Sequence, residues 1–330
     1  MFRQDRTNPS TAVSNWRGRH DAPKAWPSTA VSTWTNGGLF GGGAAWAPPV
    51  NGYVIGGTSE DRIDVMPFAT ETVSLTGTTL SSDRYDMAKP APCSTSAAYV
   101  MGGRSTGGSL IQKMLFADYS VGTLVATLSG DWYAMAGCNS DTKGYTMGGS
   151  NALSVKQTVV DACTFATDTV ATLTATIGTA TTQNCGLTNR DTAGYSCGGE
   201  QSFTATIYKL TYSTEAVSTL GDTLSQATYD PSSCTDDTTA GYVLGGYGTA
   251  QDLVQKIVFS TDGVSTLGAT LPEANYGRSS MSGVTGGYAA GGSGWPFETY
   301  IDKLTYATEA TSALSAVVFP SKYSIGASGQ

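Results

Sequence analysis

Few side chains in this chain have the type and spacing that catalysis needs. The only histidine is His20. A Ser–His or Cys–His nucleophile needs an imidazole held beside it, and residues 47–330 hold none. Carboxylates cluster at Glu60-Asp61, Asp64 and Asp236-Asp237. Glycoside hydrolysis needs two carboxyl groups facing each other across a cleft, and no second partner can be assigned to any of these. Calcium needs a loop of regularly spaced oxygen ligands, which is not seen, so solvated turn residues are the expectation. No catalytic residue, metal ligand or cofactor is expected. Lys113, Lys209, Lys256 and Lys303 recur at one position of a repeat. They could form a cationic ring for an acidic ligand, but lysine stems lying along apolar surface towards water are commoner.

Aromatic side chains are better placed for recognition. Tyr85, Tyr133, Tyr229, Tyr276 and Tyr323 each stand five residues after an apolar residue of the repeat (Leu80, Leu128, Leu224, Leu271, Val318). They are expected at one rim, packed against the next blade or open to stack on sugar rings. Trp132 and the segment Ser293-Gly294-Trp295-Pro296-Phe297 add large aromatics to variable loops, where recognition is expected on a rigid scaffold. Trp132, Trp295, Phe297, Tyr85, Tyr133, Tyr229 and Tyr276 are therefore the candidate surface or glycan contacts. Residues 1–46 hold a second set. Pro9-Ser10-Thr11-Ala12-Val13-Ser14-Asn15-Trp16 returns as Pro27-Ser28-Thr29-Ala30-Val31-Ser32-Thr33-Trp34, and Trp26 and Trp46 lie nearby. Proline and polar residues keep such a stretch from building a core. Tryptophans on an arm of this kind are favoured interface anchors, so Trp16, Trp26, Trp34, Arg17 and Arg19 are the candidate partner-docking residues. A linker whose tryptophans pack on its own ring is the alternative.

The element that must position these residues is a phrase written six times. Gly241-Tyr242-Val243-Leu244-Gly245-Gly246 is its clearest copy. Its tyrosine recurs at Tyr53, Tyr99, Tyr145, Tyr195, Tyr242 and Tyr288, in steps of 46, 46, 50, 47 and 46 residues. A period of this length, with several short strand-like runs per copy, marks a β-propeller. After the double glycine and a variable loop comes a strand of the form apolar-x-Lys-apolar-x-aromatic, as in Ile301–Thr308, and then a Thr-Leu strand such as Thr266–Leu271. A fourth run follows from the rim tyrosine. The chain ends on Tyr323-Ser324-Ile325-Gly326, a copy of the run that elsewhere precedes Gly-Tyr. Pairing it with the first Gly-Tyr strand would close the ring and remove the open sheet edges. The expectation is an all-β, six-bladed propeller of four strands per blade over residues 47–330, closed by the C-terminal strand, behind an extended N-terminal arm, residues 1–46.

Charge narrows the choice of partner. The arm carries five basic residues against two acidic ones, a net +3, so the overall −8 leaves −11 on the remainder. An acidic ring is a poor match for nucleic-acid phosphates. Met1-Phe2-Arg3-Gln4-Asp5-Arg6 lacks the apolar run of a secretory signal, and no stretch reads as a spanning helix. A soluble protein made in a cytoplasm is expected, with no nucleic-acid partner and no membrane insertion. Cys93, Cys138, Cys163, Cys185, Cys197 and Cys234 each fill an apolar slot of the repeat, as buried free thiols do.

The Gly-Tyr-x-x-Gly-Gly phrase, the aromatic-x-Thr strand and the Leu-to-Tyr step resemble Kelch repeats over about residues 47–330. The tryptophan usual in such repeats is leucine here (Leu75, Leu124, Leu173, Leu220, Leu267, Leu314). The wording, including Ile301-Asp302-Lys303-Leu304-Thr305-Tyr306-Ala307-Thr308-Glu309, is similar to the Thr-, Ser- and Gly-rich Kelch-like proteins encoded by tailed, often marine, phages. That resemblance implies a non-enzymatic virion structural protein, associated with tail or fibre. It implies docking on other virion proteins through residues 1–46 and a ring shown to host-surface glycan or to a virion partner. Kelch rings host many functions, and a carbohydrate-binding protein or sugar-acting enzyme is the alternative.

Overall fold

The structure, a computed structural model, describes residues 47–104, 107–200, 203–293, 298–320 and 323–329. The docking candidates Trp16, Trp26, Trp34, Arg17 and Arg19, and the loop candidates Trp295 and Phe297, lie outside the described residues.

Every regular element described is a β-strand. Blade one takes β1 (Asn51–Gly57), β2 (Glu60–Pro67) and β3 (Ser74–Thr79); blade two takes β4 (Ala97–Met101), β5 (Leu110–Leu115) and β6 (Val121–Thr127). Blade three is β7 (Ala136–Asn139), β8 (Lys143–Met147), β9 (Val160–Thr164) and β10 (Thr169–Thr172). Blade four is β11 (Cys185–Asn189), β12 (Ala193–Cys197), β13 (Ile207–Thr211) and β14 (Ala216–Thr219). Blade five is β15 (Ser232–Thr235), β16 (Ala240–Leu244), β17 (Leu253–Val258) and β18 (Gly263–Thr270). Blade six is β19 (Ser279–Ser282), β20 (Gly286–Ala290), β21 (Ile301–Thr305) and β22 (Ala310–Ala313). The last strand, β23 (Ile325–Gly329), returns to blade one and pairs antiparallel with β1 from Asn51↔Gly329 to Ile55↔Ile325. The molecule is a six-bladed propeller closed by its own C-terminal strand. In blade two the inner place is taken by the irregular run 85–93, bridged to blade two at Tyr85↔Arg104 and Cys93↔Ala98. Pro90 and Pro92 supply no N–H there, which breaks the regular ladder.

Strand position explains the amino-acid pattern. The second strands, β4, β12, β16 and β20 among them, are buried along their whole length. The outermost strands are exposed or half-exposed at every position, as in β14 and β22. Both glycines of every double-glycine pair have positive φ, from Gly56 (61°) and Gly57 (142°) to Gly291 (67°) and Gly292 (130°), where a Cβ is disfavoured. All six cysteines are buried free thiols. Burial pushes the Cys93 thiol up to about 11 and the Cys138 thiol up to about 12.

The blades are latched to one another at the Gly-Tyr tyrosines. Each is buried and stacks on the aromatic residue that directly follows the third strand of the next blade. The pairs are Tyr53 on Phe116, Tyr99 on Phe165, Tyr145 on Tyr212, Tyr195 on Phe259, Tyr242 on Tyr306 and Tyr288 on Phe68, with ring centroids 4.8–5.5 Å apart. Such a stack contributes about 0.5–1.5 kcal/mol beyond its buried area. The recurrent lysines belong to the same latch. Lys113 pairs with Asp168 at 2.9 Å, Lys209 with Asp262 at 2.7 Å and Lys256 with Glu309 at 2.5 Å; Lys303 pairs with Glu71. The Tyr99, Tyr195 and Tyr288 hydroxyls donate to those same carboxylates at 2.7–2.8 Å. Blade three has Ala162 in the lysine slot, and Lys143 of β8 reaches Glu215 instead at 2.6 Å. Blade one has Val65 there and meets Tyr119, edge-on to Tyr53 at 6.1 Å. The lysines therefore neither line a ligand ring nor run free to water. Each is neutralised by the blade that follows.

The carboxylate expectation also needs correction. Asp64 is 4% exposed and accepts the Phe319 N–H at 2.9 Å. Asp161 likewise accepts the Ser129 N–H at 3.0 Å, and Asp302 accepts the Arg278 guanidinium at 2.6 Å. These acids cap the loops that lead into the inner strands. Asp236 does behave as a turn residue, accepting the N–H groups of Thr238, Thr239 and Ala240.

Candidate functional site

All inner strands run the same way along the axis, so their N-terminal ends make one mouth. One residue at the start of each lies in the left-handed region: Asp86 (φ 54°), Ala134 (53°), Gln183 (55°), Asp230 (54°), Gly277 (68°) and Tyr323 (58°). Five carry a Cβ, at a cost of roughly 1–2 kcal/mol each. What holds them is a closed circuit of backbone hydrogen bonds. The Asp86 N–H donates to the Tyr323 carbonyl (3.0 Å), Ala134 to Asp86, Gln183 to Ala134 (2.7 Å), Asp230 to Gln183 (2.6 Å), Gly277 to Asp230 (3.0 Å) and Tyr323 to Gly277 (3.0 Å). Every blade gives one donor and one acceptor. The circuit places Tyr323 in the ring itself, whereas Tyr85, Tyr133, Tyr229 and Tyr276 stand one residue before it. Blade one is thus one residue out of step with the spacing read from Val318.

Beneath this circuit the axis is sealed. A Cβ on Gly186 would lie 1.9 Å from the Gly137 carbonyl oxygen, and one on Gly326 would lie 1.6 Å from that of Ser280. Lys89 holds the corresponding place in blade two and reaches back across the axis to Asp230 Oδ1 at 2.5 Å; both side chains are buried. A buried pair of this kind is strongly destabilising to break from one side. Asp86 is engaged by Arg104 at 3.2 Å. The two mouth carboxylates are thus each committed to a cation, an arrangement suited to holding shape rather than to general acid–base chemistry.

The far end of the axis is a separate cavity of about 50 Å³, room for a water or two. Its wall includes Thr188, Thr235, Ser282 and Ser328, and Ala47 and Pro49 lie at it. Inner-strand N–H groups here donate to small polar side chains of the following blade: Cys93 to Asn139 Oδ1, Asn139 to Thr188 Oγ1, Thr235 to Ser282 Oγ and Ser282 to Ser328 Oγ, at 2.6–3.2 Å. Arg190 lines the cavity, 3.2 Å from Asp141 and 3.8 Å from Asp237. Burial pushes the Asp237 carboxyl up, and Arg190 partly opposes this.

Around the mouth the candidate aromatics divide into two groups. Tyr85 lies 6.5 Å from Tyr323, and Arg104 sits 4.1 Å above the Tyr133 ring. Tyr229 and Tyr276 join two residues that the sequence reading passed over, Phe203 and Tyr247. Tyr229 stacks on Tyr247 at 4.8 Å, Tyr276 meets Tyr247 edge-on at 5.1 Å, and Phe203 lies 5.1 Å from Tyr229. Burial and then the neighbouring Tyr247 and Tyr276 raise the Tyr229 hydroxyl above its ordinary value, so it stays neutral. Trp132 does not stand out in solvent. It is half-buried against the core cluster that contains Leu128 and Met135, and its indole N–H donates to Ser129 Oγ at 3.0 Å. One signal could have found Tyr247: it directly follows the double glycine, where the other repeats have Thr58, Arg104, Ser150, Glu200 and Ser293. The mouth can bind through aromatic faces on a rigid frame. Among the described residues no group of three or more His, Cys, Asp or Glu is placed to hold a metal ion. The chain matches no protein-family model and no curated protein.

Proposed function

We propose that this chain is a non-enzymatic structural protein of a tailed-phage virion, attached through residues 1–46 and displaying its ring for surface contact. The observation that carries this reading is the separation of the two ends of the axis. Ala47 and Pro49 lie at the far cavity, beyond the C-terminal ends of the inner strands. The aromatic mouth lies at their N-terminal ends. The polar, tryptophan-bearing composition of residues 1–46 and the resemblance of the repeats to Kelch-like phage proteins support the same assignment. Assembly in a host cytoplasm suits six thiols kept reduced. Deleting residues 1–46 should leave a ring with unchanged melting behaviour that no longer enters particles, read by mass spectrometry of purified virions. Incorporation of the truncated protein at the full-length level would overturn the proposal.

A sugar-binding ring is the second reading, favoured by the exposed aromatics of the mouth. Its enzymatic form is disfavoured, because Asp86 and Asp230 are held by Arg104 and Lys89.

A further inference from the structure

The mouth is not six-fold in its chemistry. At the inner rung of blade five, Tyr229 and Tyr247 exchange backbone hydrogen bonds at 3.1 and 2.8 Å, which fixes the backbone that carries both rings. The same rung carries Tyr85 with Arg104 in blade two and Tyr133 with Ser150 in blade three. Among the described residues, only here do two aromatic residues face each other across this rung. Phe203, from the loop of blade four, joins them 5.9 Å from Tyr247. It is 46% exposed and holds φ at 53°. A bulky residue seldom adopts that conformation, and such outliers gather at binding sites.

We infer that the cleft lined by Phe203 and Tyr247 is a subsite for one uncharged pyranose unit of a glycan. The cleft measures about 510 Å³ and is lined by Ser225, Gln226 and Thr249 besides the two rings. That is the size class of a small-ligand site. A pyranose offers an apolar C–H face for stacking and a belt of hydroxyls for hydrogen bonding, and this cleft presents both complements. The Gln226 amide is pinned, donating to the Ala250 carbonyl at 2.8 Å and accepting its N–H at 3.0 Å. Only one of its two amide hydrogens is used in this way. The rings of Phe203, Tyr229, Tyr247 and Tyr276 already touch, so no ammonium-sized cage lies between them. What they offer is the solvent-exposed parts of Phe203 and of Tyr247, the latter 38% exposed with one face stacked on Tyr229. No charged residue lines the cleft; the acids whose fields reach Tyr229 are Glu200, 3.8 Å from Lys156, and Asp230, held by Lys89. A neutral sugar therefore fits better than a sialylated or uronic one.

This subsite rests on the mouth being the displayed face, yet its test needs no particle. Purified full-length protein is applied to an array of hexose- and N-acetylhexosamine-terminated glycans alongside sialylated and uronic ones. Neutral glycans should bind, and Tyr247→Ala and Phe203→Gly should each weaken binding tenfold or more. Phe203→Gly should melt close to the wild type, because the relief of strain at that φ offsets the lost ring contacts and the added freedom of the unfolded chain. Failure of every neutral glycan to bind, preference for the anionic set, or wild-type binding by both variants would each overturn the subsite. Any of those results alongside arm-dependent incorporation would leave the virion assignment standing. The reverse outcome, sugar binding with arm-independent incorporation, would remove the virion assignment alone.

Discussion

Gly186 sets the width of the axis. Its hydrogen faces the Gly137 carbonyl at a separation that leaves no space for a methyl group. Gly186→Ala must push two inner strands apart and should cost about 3 kcal/mol. Gly268, on an outer strand, has nothing within 4 Å of its notional Cβ, and Gly268→Ala should stay within about 0.5 kcal/mol. Urea melts of the two variants make the comparison, and equal midpoints would refute the packing account. This contrast was hidden in the sequence. The double glycines stand out because all six repeats keep them, whereas the axial position reads Lys89, Gly137, Gly186, Ser233, Ser280 and Gly326. Small size is its only common property outside blade two. Tyr323 misled for a related reason: a tyrosine five residues past Val318 satisfied the spacing, and only the hydrogen-bond circuit shows the one-residue shift.

Between blades, the latch of tyrosine, lysine and acid was half legible. The Gly-Tyr tyrosines, the lysines and the aromatics that follow the third strand all repeat in the sequence and were found. Their union was not visible, because lysine and acid lie in different repeats, 53 residues apart for Lys209 and Asp262. The latch gives the ring a pH signature. Burial raises the hydroxyls of Tyr99, Tyr195 and Tyr288 above the ordinary value near 10, and the acids Asp168, Asp262 and Glu71 raise them further. The unfolded chain then loses these protons before the folded one does. The stabilisation is complete below about pH 10 and is lost as pH rises above it. On the acid side, burial raises the Glu71 carboxyl, but Lys303 and Tyr288 more than offset it and hold it below its usual range. Its contribution is present at neutral pH and disappears as pH falls through that lowered value. Chemical melts across pH should show a plateau through neutrality and a fall above about pH 10, with phenolate absorbance appearing together with unfolding. Full ionisation of all the tyrosines in a ring that stays folded would contradict the latch.

At the scale of the whole molecule, closure was the most legible feature. The final run of the sequence lacked a partner, and the first Gly-Tyr strand lacked a neighbour. Their pairing, from Ile55↔Ile325 to Asn51↔Gly329, was readable from the repeat count. Removing residues 323–330 takes away the inner strand of blade one and one member of the mouth circuit. It should abolish the single cooperative melt and yield an aggregating species on size-exclusion chromatography. An unchanged melt would show that the ring does not depend on its clasp. The mouth itself was less legible, since Phe203 and Tyr247 belong to loops that do not repeat. The circuit of six peptide groups carries a consequence for blade number. Each N–H and C=O of the circuit is already spoken for, and Gly137 and Gly186 below it touch. A duplicated seventh blade would enlarge the circle, part those glycines and leave a hole where Lys89 now meets Asp230. Six is the blade number at which the circuit and the axial contacts close together.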